Sequence, residues 1–346
     1  MQQPRKASAT SIAFVALALV WGSSFLFIKL SLAGLSPGQV ALGRVALGAA
    51  TLSAIMLVTR RAWPREPRLW LHMTVVAATL CTIPFTLVAW AETVVPSTVA
   101  SIVNATTPIM TLLLTPLLIP RDRLSRGKAI GLGIGILGVV VLVGPWRLLV
   151  TSEGVSLPGV VAMLGATACY GFGGLYMRRF LAGSTYDSVT IAAVQLVLAT
   201  ALALLAAPFV SRGSVQLTPS VLLAIAALGV LGSGVAYIWY TGIIRAWGAA
   251  RASTVTYLTP VLGVTFGVLF LGERLHWNEP VGGAIVVLGI LASQGVFERW
   301  VARPSRGAPG GRAEGPLCPP AEAPAQAPAP RSRLSSRSRS RSGSRA

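Results

Sequence analysis

Residues 100–108 read ASIVNATTP, and residues 252–260 read ASTVTYLTP. Both fit the pattern A-S-x-V-x-x-x-T-P, 152 residues apart. The likeness continues on either side. DRL at 122–124 pairs with ERL at 273–275, and at that offset of 151 Gly131, Leu137, Gly138 and Gly144 fall on Gly282, Leu288, Gly289 and Gly295. Nearer the N-terminus, WGSSFLFIK at 21–29 aligns with YGFGGLYMR at 170–178 at an offset of 149. The chain therefore reads as two copies of one unit, and a duplication of this length governs the whole fold.

Each copy is apolar. The 346 residues are 53% hydrophobic and 11% charged, against about 25% charged in soluble domains. Apolar runs recur at 11–31, 37–59, 69–91, 96–119, 127–146, 157–180, 187–210, 219–244, 250–271 and 280–299. Runs of roughly 20 residues cross the ~30 Å hydrocarbon layer as helices. The expectation is an all-α polytopic membrane protein with ten transmembrane helices. The first run is too long for a cleavable leader and is followed by nine more. Five spans per copy is an odd number, so the second copy starts on the opposite face. The copies are then inverted five-helix repeats over 11–146 and 157–299, with an N-terminal segment 1–10 and a tail 300–346.

Lys and Arg set the orientation. With the N-terminus inside, the inner segments hold 24 basic residues and the outer ones 4, namely Lys29, Arg147, Arg212 and Arg274. Both termini are expected in the cytoplasm. The loops of the repeat agree: RGK follows the first DRL on the inside, and HWNE follows ERL on the outside. The tail ends RSRLSSRSRSRSGSRA and has little to bury, so it reads as a disordered cytoplasmic segment near anionic headgroups. Nucleic-acid binding is not expected of it. Inverted repeats of this kind belong to secondary transporters, whose halves rock about a midplane site.

WGSSF, SPGQVALGR at 36–44, the duplicated ASxVxxxTP and GERL at 272–275 together resemble the EamA family of the drug/metabolite transporter superfamily. The resemblance covers about residues 11–299. It implies a ten-helix transporter of small metabolites such as amino acids, many members being exporters, in a bacterial inner membrane. The alternative from another class is a membrane receptor or scaffold that signals through the basic tail.

Candidate cavity residues follow from chemistry that lipid penalises. Arg44 lies about seven residues into the second span. A charge there faces a cavity or a partner, or else snorkels to the headgroups. Glu92 closes the third span on the same side and is a candidate partner for Arg44. No other acid lies deep within a span, so a proton-carrying carboxylate is not evident. Asn104, Thr107 and Pro108 share one helix face, with Thr256, Thr259 and Pro260 as equivalents. Each proline removes a donor and kinks its helix, and the freed carbonyl needs a hydroxyl, water or substrate. Trp21 and Ser24 of WGSSF, Trp90, and the tyrosines Tyr170, Tyr176, Tyr237, Tyr240 and Tyr257 complete the candidate wall, as deep hydroxyls need partners. Gly127, Gly131 and Gly135, and Gly282, Gly283 and Gly289, form small-residue faces. These suit either a homodimer contact or contact between the halves.

Other chemistries find no support in the residues. Cys81, Cys169 and Cys318 suggest neither disulfide nor zinc site, and His72 and His276 sit near span ends. No P-loop, catalytic triad, metal site or cofactor motif is present in the sequence. The expected partners are a small-molecule substrate and the lipid bilayer.

Overall fold

Apolar runs become helices because lipid offers no other partner for backbone N–H and C=O groups. The computed structural model describes residues 4–120, 126–144, 146, 156–181, 184–247, 252 and 254–293. They fall within one compact unit, Met1–Ala302. The tail from 300, the DRL triplet, Arg147 and Arg251 lie outside the described residues. Among those described, every regular element is helical.

Eight helices are long and apolar enough to cross a membrane: α1 (Ala9–Leu32), α2 (Pro37–Val58), α3 (Pro67–Ala91), α4 (Ser97–Leu118), α5 (Arg126–Val143), α6 (Leu157–Phe180), α7 (Ser188–Val210) and α8 (Pro219–Trp247). Two shorter apolar helices follow, α9 (Val255–Leu271) and α10 (Asn278–Ser293). They match the last two expected spans only in part. Residues 248–251 and 253 before α9, and those from 294 onward, lie outside the described set.

The helix starts are written locally. Proline occupies the first turn of α2, α3, α6 and α8, where its missing N–H costs nothing. Asp187 and Thr218 accept from the first-turn amides of α7 and α8. Gly272 ends α9 at φ +65°, a left-handed cap that favours glycine.

The two copies interleave. α1 packs on α9 and α6 on α4, while α2 packs on α7 and α8. The glycine faces meet each other. A Cβ on Gly131 would fall 2.3 Å from the Ser293 nitrogen and one on Gly138 2.6 Å from the Val286 nitrogen. Gly282 and Gly289 are blocked in the same way by the backbone around Leu142 and Gly135. Rising numbers on one helix oppose falling numbers on the other, so α5 and α10 run antiparallel at backbone contact. Of the two readings of the α5 glycine face, contact between the halves is the one seen, Gly131 and Gly138 meeting the α10 backbone.

Neither α3 nor α8 is uniform. Ala78–Thr82 in α3 and Ala227–Val235 in α8 are π-helical. Their first residues differ by 149, the offset that aligns the copies upstream. A wider turn leaves carbonyls without their i+4 donor, and such segments cluster at functional sites.

Candidate functional site

A cavity of about 340 Å³ lies where α1, α2, α3, α4, α6, α8, α9 and α10 converge. Among the described residues that line it, Arg44 alone is charged. The Arg44 Nε donates to the Ser233 hydroxyl at 3.1 Å, and its guanidinium carbon sits 4.0 Å from the Phe85 ring centroid. The geometry fixes one edge and one face of the guanidinium. Its terminal nitrogens make no hydrogen bond to a described residue. The α8 π-segment supplies more than Ser233: the Trp21 indole donates to the Gly232 carbonyl at 3.3 Å. A regular α-helix would engage that carbonyl itself.

Of the expected residues, Trp21, Ser24, Arg44, Asn104, Thr107, Pro108, Tyr170, Tyr237, Thr256, Tyr257 and Pro260 line this cavity. Three do not. Trp90 is 42% exposed on the outside of α3. It lies two residues beyond Val88, which does line the cavity, and two residues turn a helix by about 200°. Tyr176 lies six residues beyond Tyr170 and turns into another cluster, its hydroxyl 2.8 Å from the His72 Nδ1 and its ring 4.6 Å from Phe180. Tyr240 stands behind Trp21, ring to ring at 5.3 Å.

The repeated motif takes two forms. In α4 the helix breaks after Asn104, passes Ala105 and Thr106 as a turn, and restarts at Thr107. Pro108 is then in a first turn and blocks nothing. The carbonyl it leaves free, that of Asn104, accepts from the Thr107 hydroxyl at 2.8 Å. The Asn104 amide lines the cavity and engages no described residue. In α9 Pro260 lies inside a continuous helix, and Thr259 donates to Val255 at 3.3 Å. The expected pair of matching kinks is therefore one break and one interior proline.

The candidate Arg44–Glu92 pair is not among the ion pairs of the described residues. Glu92 is fully buried, and neither carboxylate oxygen has a hydrogen-bond partner among the described residues. The Lys29 ammonium donates instead to the carbonyls of Glu92 at 2.6 Å and Val95 at 3.3 Å. Glu273 of the GERL stretch also has a definite place. Its carboxylate accepts from the amides of Ser97 at 2.7 Å and Thr98 at 2.9 Å, the free donors that open α4.

Sequence reasoning missed Phe85 and Ser233. Phe85 looks like any apolar span residue. Ser233, within the small-residue run Gly232-Ser233-Gly234, faces Arg44 only through the π-turn.

Comparison with known proteins agrees with this architecture. The profile described as the EamA-like transporter family matches twice, at residues 9–144 and 157–293. The "Uncharacterized inner membrane transporter YedA" of Escherichia coli (strain K12) is 26% identical over 289 residues, covering 81% of this chain and 88% of that one. A "Probable amino-acid metabolite efflux pump" of Salmonella typhimurium is 24% identical over 299 residues, covering 83% and 95%. One solved structure superposes with a TM-score of 0.58 at 21% identity, covering 85% of this chain and 99% of its own. That last likeness speaks to fold alone.

Proposed function

Since this chain belongs to the EamA-like transporter family, we propose that it exports small metabolites or amino acids by alternating access around the Arg44 cavity. The chain is a transporter and an integral membrane protein; the rest of the reading is ours. The observation that carries it is Arg44 itself: a cation held by Ser233 and Phe85, with no hydrogen bond from its terminal nitrogens to a described residue, in a cavity whose described lining is otherwise uncharged. Such a fork suits the acid group of a substrate. Tyr170, Tyr237, Trp21 and Phe85 offer rings to its apolar body.

Ten spans in two inverted repeats suit alternating access, because one packing can then open to either side. The antiparallel contact of α5 with α10 and the interleaving of the copies support that arrangement. The 24 to 4 division of basic residues supports cytoplasmic termini. The name of the YedA relative supports a bacterial inner membrane. The named efflux pump supports the substrate class.

Flux of individual amino acids from proteoliposomes tests the proposal. Transport is expected in the full chain, to survive deletion of 301–346, and to fall in Arg44→Ala. Equal flux in Arg44→Ala and wild type rules out the site. Loss of function only on tail deletion favours the scaffold instead.

A further inference from the structure

Glu92 and Glu273 lie at the same end of the helix bundle and have opposite surroundings. Glu273 holds two backbone amides with its two oxygens. Glu92 is fully buried and holds none. An ionised carboxylate buried without donors is strongly disfavoured, and such a group takes a proton instead. The charged groups facing it are Lys29 from α1, Arg44 from α2 and Glu273 from the turn after α9. None satisfies it. Lys29 is bonded to two carbonyls, Arg44 is turned to Ser233 and Phe85, and Glu273 is itself an acid.

The same end hides further polar atoms. The hydroxyl oxygens of Ser31, Ser97 and Thr98 are buried, and none has a hydrogen-bond partner among the described residues. A permanently sealed end does not ordinarily keep so many polar atoms unsatisfied. An end that opens to water would satisfy them all. The cavity is lined toward this end by Ile28 and Val88, one turn from Glu92, and reaches Ile290 near the close of α10.

We infer that Glu92 is a proton-binding site, loaded when this end of the bundle closes and emptied when it opens to water. Closure then takes up one proton. Acid favours the closed end and alkali the open one, and the closed-to-open ratio falls about tenfold per pH unit above the range in which the hydrated carboxyl titrates. The motion rests on the alternating-access reading above; the proton does not.

Two measurements on the full chain in lipid nanodiscs separate these parts. Infrared difference spectroscopy with isotope-labelled glutamate reads the proton. A protonated-carboxyl stretch is expected in the wild type at neutral pH and is lost in Glu92→Gln. Absence of that band from the wild type overturns the inference whether or not the variant folds. Electron–electron distance measurement reads the motion. It uses spin labels at the exposed positions Val94→Cys and Arg274→Cys, with Cys169→Ser and Cys318→Ser. The short-distance population is expected to grow as pH falls, and Glu92→Gln is expected to hold it at every pH. A distance that ignores pH while the band is present overturns the coupling to closure and leaves the proton. A Glu92→Gln variant that titrates like wild type overturns the assignment to Glu92.

Discussion

α4 and α9 carry the same nine-residue pattern and fold it differently. α4 breaks before its proline, whereas α9 runs through its own. The copies differ here at Asn104-Ala105-Thr106 and Thr256-Tyr257-Leu258. In α4 the Asn104 carbonyl is taken up by the Thr107 hydroxyl. In α9 the three equivalent residues sit in a continuous helix. Both copies carry the proline, and its surroundings differ. The result is an asymmetric pair, with an unengaged amide on one side of the cavity and a tyrosine ring on the other.

The two helices are also tied to each other, and cutting that tie should have the largest effect. Gly272 turns the chain out of α9 so that Glu273 caps α4. Glu273→Ala leaves two amides unpaired. Hydrogen bonds to charged groups contribute about 1.5–3 kcal/mol each, so a loss of about 3 kcal/mol is expected. A thermal unfolding midpoint within a degree or so of wild type would show that the cap is idle.

Arg44→Ala comes next. Removal of one charged contact to substrate, worth at least ~1.4 kcal/mol, slows flux roughly tenfold or more. Ser233→Ala tests the same fork from behind and should cost less, since Phe85 still holds the guanidinium face. The asymmetry of the copies is then tested directly. Asn104→Ala should reduce flux several-fold, by about 1 kcal/mol of lost hydrogen bonding. Thr256→Ala, on the continuous helix, should change it less. Equal losses would mean that the break in α4 does not matter to transport.

Much of this was legible in the residues, and the limits are instructive. Apolar runs marked the helices because hydrocarbon thickness fixes their length. The paired glycines marked α5 and α10, although only the structure shows that each face fills the other. Arg44 stood out because a charge in a span demands a reason. What failed was facing. Trp90, Tyr176 and Tyr240 are aromatic residues in the right helices, yet which side of a helix meets the cavity depends on packing that a single sequence does not encode. The π-turns failed for a related reason: Ala78–Thr82 and Ala227–Val235 look like ordinary helix. The first rotates the remainder of α3, and with it Phe85, and the second carries Ser233 in its own widened turns. Glu92 was a candidate partner for Arg44 on depth alone, and depth does not fix which way two side chains face.

The smallest effect should come from a cap that a helix draws from its own loop rather than from the other copy. Asp187 precedes α7 and accepts from the amides of Val189 at 2.9 Å and Thr190 at 3.2 Å, and it pairs with Arg61. Partial burial would raise its carboxyl, but the hydrogen bonds from Thr190 and Val189 and the Arg61 charge outweigh this and hold it below the ordinary aspartate range. The sign follows from linkage: the group is more acidic folded than unfolded. Its stabilisation is present in full above the unfolded range and is lost as pH falls through the folded value. The side chain is 34% exposed, so screening reduces the charge contribution. Asp187→Ala should cost about 1 kcal/mol as a lost cap. Asp187→Asn keeps a capping oxygen and should cost only a few tenths, while flattening the acid-side decline in the thermal midpoint. If both variants cost as much as Glu273→Ala, a cap between the copies carries no more than a local one, and the tie between α4 and α9 loses its special place.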